Sequence, residues 1–360
     1  MSGAERSAAP RVHSPLRSVA LSIAAATALA GGFVTGCGDG GPDHPAAPSS
    51  STSLTPPAPE SQADAVRALG SEGPLQVVRG ARSIVVASAR SGIDAHDLAR
   101  RVDAAVPVAS RLWATTWSQP VVVLVPASLA HWQELTGLQP DPDVAAVSLG
   151  ASSAETSGSG VAGAGEVTST SPGGHASAGA STSTSGGGQR IVVDPVAYQR
   201  LSDAGRGVVL RHEVEHLVSA AHTPPGMPSW LVEGTADVVG FTGSGIPVSQ
   251  AAEELAALVR HSGPPASLPA DADFSGGSSS VAYEEGWFAC RLIDREKGAA
   301  ALRAFYDRVG AGIRAQRTPL AQDQRNSIVS DALRQATGWS LKEFVARWQA
   351  DLQHELGSAS

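Results

Sequence analysis

Arg211-His212-Glu213-Val214-Glu215-His216-Leu217-Val218-Ser219-Ala220-Ala221 contains His-Glu-x-x-His, and the way this stretch folds decides the rest of the chain. On a helix, His212 and His216 lie one turn apart on one face, where both imidazoles can reach a single metal ion. Glu213 is then placed to take a proton from a water activated by that ion. Three fixed residues also recur by chance, and an i, i+4 histidine pair can be a solvated helix face, so the flanks must discriminate. Upstream and within the motif, Leu210, Val214, Leu217 and Val218 follow the helical period and predict an amphipathic helix with one core face. Downstream, His222-Thr223-Pro224-Pro225-Gly226-Met227-Pro228 is dense in helix breakers and marks a connection. Pro228 suits the first turn of a second helix running through Ser229-Trp230-Leu231-Val232-Glu233-Gly234-Thr235-Ala236-Asp237-Val238-Val239. Glu233 and Asp237 are i, i+4 on that helix and face the same way.

Two histidines and one carboxylate leave a fourth metal position for water or substrate, which makes Glu233 the candidate third ligand. Asp237, one turn on, can accept a hydrogen bond from the distal nitrogen of a ligand histidine and fix its tautomer. The plainer alternative for both acids is an exposed pair on an ordinary helix. His-Glu-x-x-His followed by Trp-Leu-x-Glu-Gly-x-Ala resembles the gluzincin metallopeptidases, the group that includes thermolysin and the aminopeptidase N type enzymes. Within it the chain looks most like the peptidase MA-like metallohydrolases found as actinobacterial lipoproteins. The resemblance runs from about 75 to 352 and includes Pro120-Val121-Val122-Val123-Leu124-Val125-Pro126, Arg190-Ile191-Val192-Val193 and Tyr283-Glu284-Glu285-Gly286-Trp287. It implies that His212, His216 and Glu233 bind one Zn²⁺, that Glu213 is the catalytic base and that Asp237 supports a ligand histidine. Two departures matter. Sixteen residues separate His216 from Glu233, fewer than in thermolysin, so the intervening loop must be short. No Gly-x-Met-x-Asn segment precedes the motif, so nothing supports an aminopeptidase.

A rival ligand set exists. His222 lies six residues after His216, nearly completing the three-histidine pattern of the metzincins. That pattern places Gly where this chain has Ser219, and Met227 arrives too soon, inside a proline cluster, to serve as its Met-turn.

The N-terminus carries a second signal. Arg6, Arg11 and Arg17 precede an apolar run over 19–34 that ends in Val34-Thr35-Gly36-Cys37. A charged region, an apolar stretch and small residues before a break describe a secretory signal. Small residues immediately before a cysteine resemble a bacterial lipobox, with Cys37 as the lipidation site; the alternative is a plain signal-anchor helix. Residues 1–36 are thus expected to be a lipoprotein signal peptide, 37–62 a disordered tether rich in Gly, Pro, Ser and Ala, and 63–360 one metallopeptidase domain. A second low-complexity stretch, 151–188, is almost wholly Ser, Gly, Ala and Thr and is expected to be a loop insertion between neighbouring strands. The formal net charge is −8 with the basic leader included, so the remainder is more acidic still and offers no basic stripe for nucleic acid. Cys290 sits in an apolar run and reads as a small buried hydrophobe.

Between these segments the pattern alternates: strand-like runs at 76–79 and 84–86, a helix over 94–117 with Pro107 as a possible kink, a strand at 121–125, a helix at 128–135, and strands at 144–149 and 190–193. After 239 nearly everything reads as helix: 248–259, 281–293, 300–309, 328–336 and 341–352. The expected fold class is α+β: a small mixed-sheet α/β lobe, then the metal-site helices, then a mainly helical C-terminal lobe, with the site between lobes. Tyr283, at the start of a helix, is either a donor to the oxyanion that forms on a peptide carbonyl or a tyrosine packed at a helix end; His261 is a second candidate for that donor. The strand near 191–193 is the expected edge for an extended peptide. The functional expectation is a membrane-anchored zinc peptidase on the extracytoplasmic face of a bacterial membrane, acting on a peptide or protein substrate. The alternative is a surface binding lipoprotein that keeps the fold without turnover.

Overall fold

The computed structural model describes residues 58–139, 141, 144–150, 188–274, 279–316 and 320–358. The leader, Cys37, the tether up to 57 and the 151–187 stretch lie outside the described residues.

The chain is α+β, with a small mixed sheet first and helices last. Helix α1 (Gln62–Leu69) precedes strands β1 (Leu75–Arg79) and β2 (Ser83–Ser88), helix α2 (Ala95–Leu112), strand β3 (Val121–Val125) and helix α3 (Leu129–Thr136). Strands β4 (Ala146–Leu149) and β5 (Arg190–Val193) complete a five-stranded sheet in the order β1-β2-β3-β5-β4. β2, β3 and β5 run parallel, while β1 and β4 pair antiparallel at the two edges. Buried on both faces, β3 is an unbroken apolar run, as parallel interior strands are. Its side chains alternate between two layers. Val122 and Leu124 pack with Ala65, Leu69 and Trp132 on one side. Val121, Val123 and Val125 face α2 and the rest of the molecule on the other.

The strand order corrects one expectation. Ile191–Val193 is not an edge, because β5 is paired on both sides; the edge on that flank is β4. Residues 58–60, within the stretch expected to be a tether, pair with Gln189. Glu60 N–H donates to the Gln189 carbonyl at 3.0 Å and Gln189 N–H to the Ala58 carbonyl at 2.8 Å, and Glu60 is buried. Extended pairing needs only backbone groups, so a Pro- and Ser-rich composition does not prevent it. Helix α2 runs through Pro107 but stops at Leu112, not 117. Ala114 adopts a left-handed φ of 47°, which ends the helical path.

Helices α4 (Pro195–Arg200), α5 (Asp203–Ser219) and α6 (Ser229–Phe241) follow, α5 carrying the His-Glu-x-x-His motif. α5 is not amphipathic. It buries Val208, Val209, Leu210, His212, Glu213, Val214, Glu215, Leu217 and Val218, because α2, α6 and the sheet surround it. The C-terminal part comprises α7 (Val248–Ala251), α8 (Glu253–Ser262), α9 (Ser279–Lys297), α10 (Ala299–Arg314), α11 (Gln322–Thr337) and α12 (Leu341–Leu356). The single helix expected over 248–259 breaks at Ala252, and the buried Glu284 carboxylate accepts the Leu255 N–H at 2.6 Å to start the new one. One apolar core joins the sheet face to these helices, and α5 lies in its middle rather than at a boundary between two cores.

Candidate metal centre

Two antiparallel helices in matched register build the site. Ser202 caps α5 by accepting the Gly205 N–H, and Arg101 of α2 pairs with Asp203 in its first turn. Further along, the Arg211 Nε donates to the Gly240 carbonyl at 2.7 Å, fixing α5 against the last turn of α6. His212 Nδ1 lies 2.8 Å from Asp237 Oδ1. One turn on, His216 faces Glu233. Histidines spaced i, i+4 on one helix meet acids spaced i, i+4 on the other, so antiparallel packing aligns both pairs at once. The short connection succeeds because Gly226 takes a φ of 90°, open to glycine, and the Met227 N–H closes a turn on the Pro224 carbonyl.

Three donor atoms converge. His212 Nε2 and His216 Nε2 are 2.9 Å apart, and each is 3.4 Å from Glu233 Oε2. Ligands held at about 2.0–2.1 Å in a tetrahedral shell sit about 3.3 Å from one another. His212, His216 and Glu233 are therefore a cluster able to hold a metal ion. Two carboxylates agree with this fit: Glu233 Oε2 meets both imidazoles at ion-pair distance without a hydrogen bond, and both Glu213 oxygens are buried without one. Buried carboxylate oxygens are rarely left so, and a cation held by the cluster would satisfy them. His212 is fully enclosed while His216 is partly exposed, so the cluster opens to solvent past His216.

The electrostatics favour positive charge at this point. Burial opposes a charged His212 ring, yet Asp237, Glu233 and Glu213 hold its pKa well above the ordinary value. His216 is likewise raised, against burial, by Glu233. Burial works against the Glu233 carboxylate, but the two histidines keep its pKa low. Burial pushes Glu213 up, although both histidines pull it down. Ser148 of β4 approaches Glu213 closely enough to favour its ionised form, but not in hydrogen-bonding geometry.

The structure separates the other candidates. His222 is not part of the cluster: its Nδ1 lies 2.6 Å from Asp307 Oδ1 and its ring rests 4.6 Å from Trp113. The three-histidine pattern therefore fails, because the chain leaves α5 in a short 3-10 turn that directs His222 towards α10. Tyr283 is buried on α9, edge-on to Phe274, and lines a small cavity with Asp237 and Trp287 rather than joining the three clustered donors. Cys290 is buried, its Sγ 3.8 Å from the carbonyls of Trp230 and Leu231; burial pushes its thiol up and keeps it inert.

One buried acid escaped notice in the sequence. Glu215, a spacer of the motif, is wholly enclosed and accepts the Trp113 indole N–H at 3.1 Å. The signal was available, since Val208, Val209, Leu210, Val214, Leu217 and Val218 leave α5 almost no solvent face. The chain matches no family model, and no curated protein is significantly similar to it in sequence.

Proposed function

We propose that the protein is a zinc-dependent peptidase of gluzincin type, resembling the peptidase MA-like metallohydrolases, held at the extracytoplasmic face of a bacterial membrane by a lipid on Cys37. The convergence of His212, His216 and Glu233 beside the unpartnered Glu213 carboxylate carries this reading. Two imidazoles with one carboxylate, leaving room for a fourth ligand, are the donor set of hydrolytic zinc sites. Held by His212, His216 and Glu233, zinc would supply Lewis-acid polarisation of a carbonyl and a lowered pKa for a bound water.

The chain's own residues do the rest. His212 and His216 hold their Nε2 atoms at the site, and Asp237 fixes the His212 tautomer by accepting its Nδ1 proton. Glu213 takes a proton from the attacking water and passes it to the leaving amine. Among the described residues β4 is the edge of the sheet and passes Glu213 at Ser148, so a peptide adding to that edge in extended form would lie alongside the base. Tyr283 keeps the two roles left open by its sequence, and its place beside Asp237, edge-on to Phe274, favours the packed tyrosine. Tyr283→Phe is therefore expected to leave turnover and zinc content at the parental level; a loss of turnover of roughly 10²-fold with zinc intact would make it the oxyanion donor instead.

The testing experiment combines metal analysis of the purified protein with cleavage of a diverse peptide library. One zinc per chain and chelator-sensitive cleavage are expected, with Glu233→Ala losing both. Bound zinc without cleavage of any peptide would instead make the protein a surface binding lipoprotein.

A further inference from the structure

The two ligand histidines are supported differently. His212 Nδ1 has Asp237, delivered from α6 at 2.8 Å. The distal nitrogen of His216 faces the residue just before it: Glu215 Oε2 lies 3.6 Å from His216 Nδ1. That exceeds a hydrogen bond but is a charge contact between a partly exposed imidazole and a fully enclosed carboxylate.

We propose that Glu215 is a positioning residue for His216, the counterpart of Asp237, holding the second imidazole towards the metal through its Nδ1 side. This inference rests on the metal-centre reading of His212, His216 and Glu233. A carboxylate with no exposed surface is costly to bury unless it takes up a proton or a positive group faces it; burial pushes Glu215 up to about 7, and His216 and His212 pull it back towards the ionised form. Among the described residues, the ion-pair partner of Glu215 is His216. The Trp113 hydrogen bond does not explain the acid, because a glutamine carbonyl would accept it equally well.

The carboxylate is also held from elsewhere in the fold. Oε1 accepts from Trp113 Nε1 at 3.1 Å, and Oε2 accepts the more distant Ser219 hydroxyl at 3.4 Å. Trp113 in turn is braced edge-on by Tyr306, with ring centroids 5.0 Å apart, and covered by His222 at 4.6 Å. Tyr306 and His222 are themselves fixed: the tyrosine hydroxyl lies 2.6 Å from Thr223 Oγ1, and His222 meets Asp307. Helices α2 and α10 therefore determine where Glu215 points, and the residue after it is a ligand. A cation on Nε2 makes the Nδ1 proton more acidic and strengthens its attraction to Glu215. This also gives the His222–Asp307 pair a place, as a brace behind Trp113 and not as a ligand.

The test uses the full chain and measures zinc affinity by competition with a chelator, alongside the melting midpoint of the metal-free protein. Glu215→Gln keeps the shape and the acceptor for Trp113 but removes the charge. It is expected to weaken zinc binding about 10- to 100-fold while the metal-free midpoint stays level or rises. Trp113→Phe, which frees Oε1, is expected to weaken zinc binding in the same direction by a smaller factor. A Glu215→Gln protein that binds zinc as tightly as the parent overturns the proposal, most clearly if its metal-free form melts lower, as loss of a merely structural contact would cause. A parent protein that takes up no zinc in the same titration overturns the metal-centre reading, and this inference with it.

Discussion

Glu213→Gln is expected to reduce peptide cleavage by about 10²–10⁴-fold while leaving one zinc per chain. The amide cannot accept the proton that the attacking water must lose, and it occupies nearly the same volume, so the α5–α6 packing is undisturbed. Stability separates this role from a structural one. Both Glu213 oxygens are buried without a partner, and burial already raises the pKa of the group, so the carboxylate is a burden on the folded state. Its replacement should leave the melting midpoint level or raise it, the trade expected where a catalytic group is held in an unfavourable environment. Activity assays, metal analysis and thermal unfolding on the same preparation check all three points. A variant that cleaves at the parental rate shows that Glu213 is not the base. One that loses zinc together with activity shows that its effect passes through the metal ligands.

Much of this site could be read from local spacing. Residues four apart on a helix share a face wherever that helix packs, so the pairing of His212 and His216 with Glu233 and Asp237 needed only two helices and a short turn. Strands β3 and β5 were equally legible, because a buried run such as Val121-Val122-Val123-Leu124-Val125 has few other uses. What the pattern could not supply depends on distant parts of the chain. Strand order places β4 outside β5, and no periodicity within either strand encodes that. Glu215 drew no reading from the sequence, because the groups that enclose it, Trp113 after α2 and Tyr306 on α10, lie about a hundred residues away on either side. The end of α2 was misread for a related reason: Trp113 leaves the helical path next to Ala114, and its indole N–H is committed to Glu215. The rival role for His222 was open in sequence because its spacing nearly fits three-histidine sites; only the position of Asp307 on α10 resolves it.

Gly234→Ala is the substitution expected to damage the fold most, and it follows from how the ligand helix is held. Gly234 follows Glu233 on α6, at the crossing with Gly286 of α9. A Cβ built on Gly234 would lie 2.2 Å from the Gly286 carbonyl oxygen and 2.9 Å from Cys290 Sγ. The first contact is with backbone, so no side-chain rotation relieves it and the helices must separate. The crossing is tight from the other side too, since a Cβ on Gly286 would stand 2.9 Å from the Trp230 carbonyl oxygen. Helix propensity alone would make alanine better than glycine by about 1 kcal/mol. Overpacking of about 3 kcal/mol or more outweighs it, leaving a net loss of about 2 kcal/mol and a melting midpoint lower by roughly 4–8 °C. Zinc affinity should fall as well, because pushing α6 away from α9 shifts Glu233 and Asp237 relative to both histidines. Gly70→Ala is the control: Gly70 has a helical φ of −62° and nothing within 4 Å of the added carbon, so the same change there should be neutral or mildly stabilising. Thermal unfolding of both variants, with zinc titrations, decides the matter. If Gly234→Ala melts with the parent and binds zinc equally well, the close α6–α9 crossing is not what holds Glu233 in place.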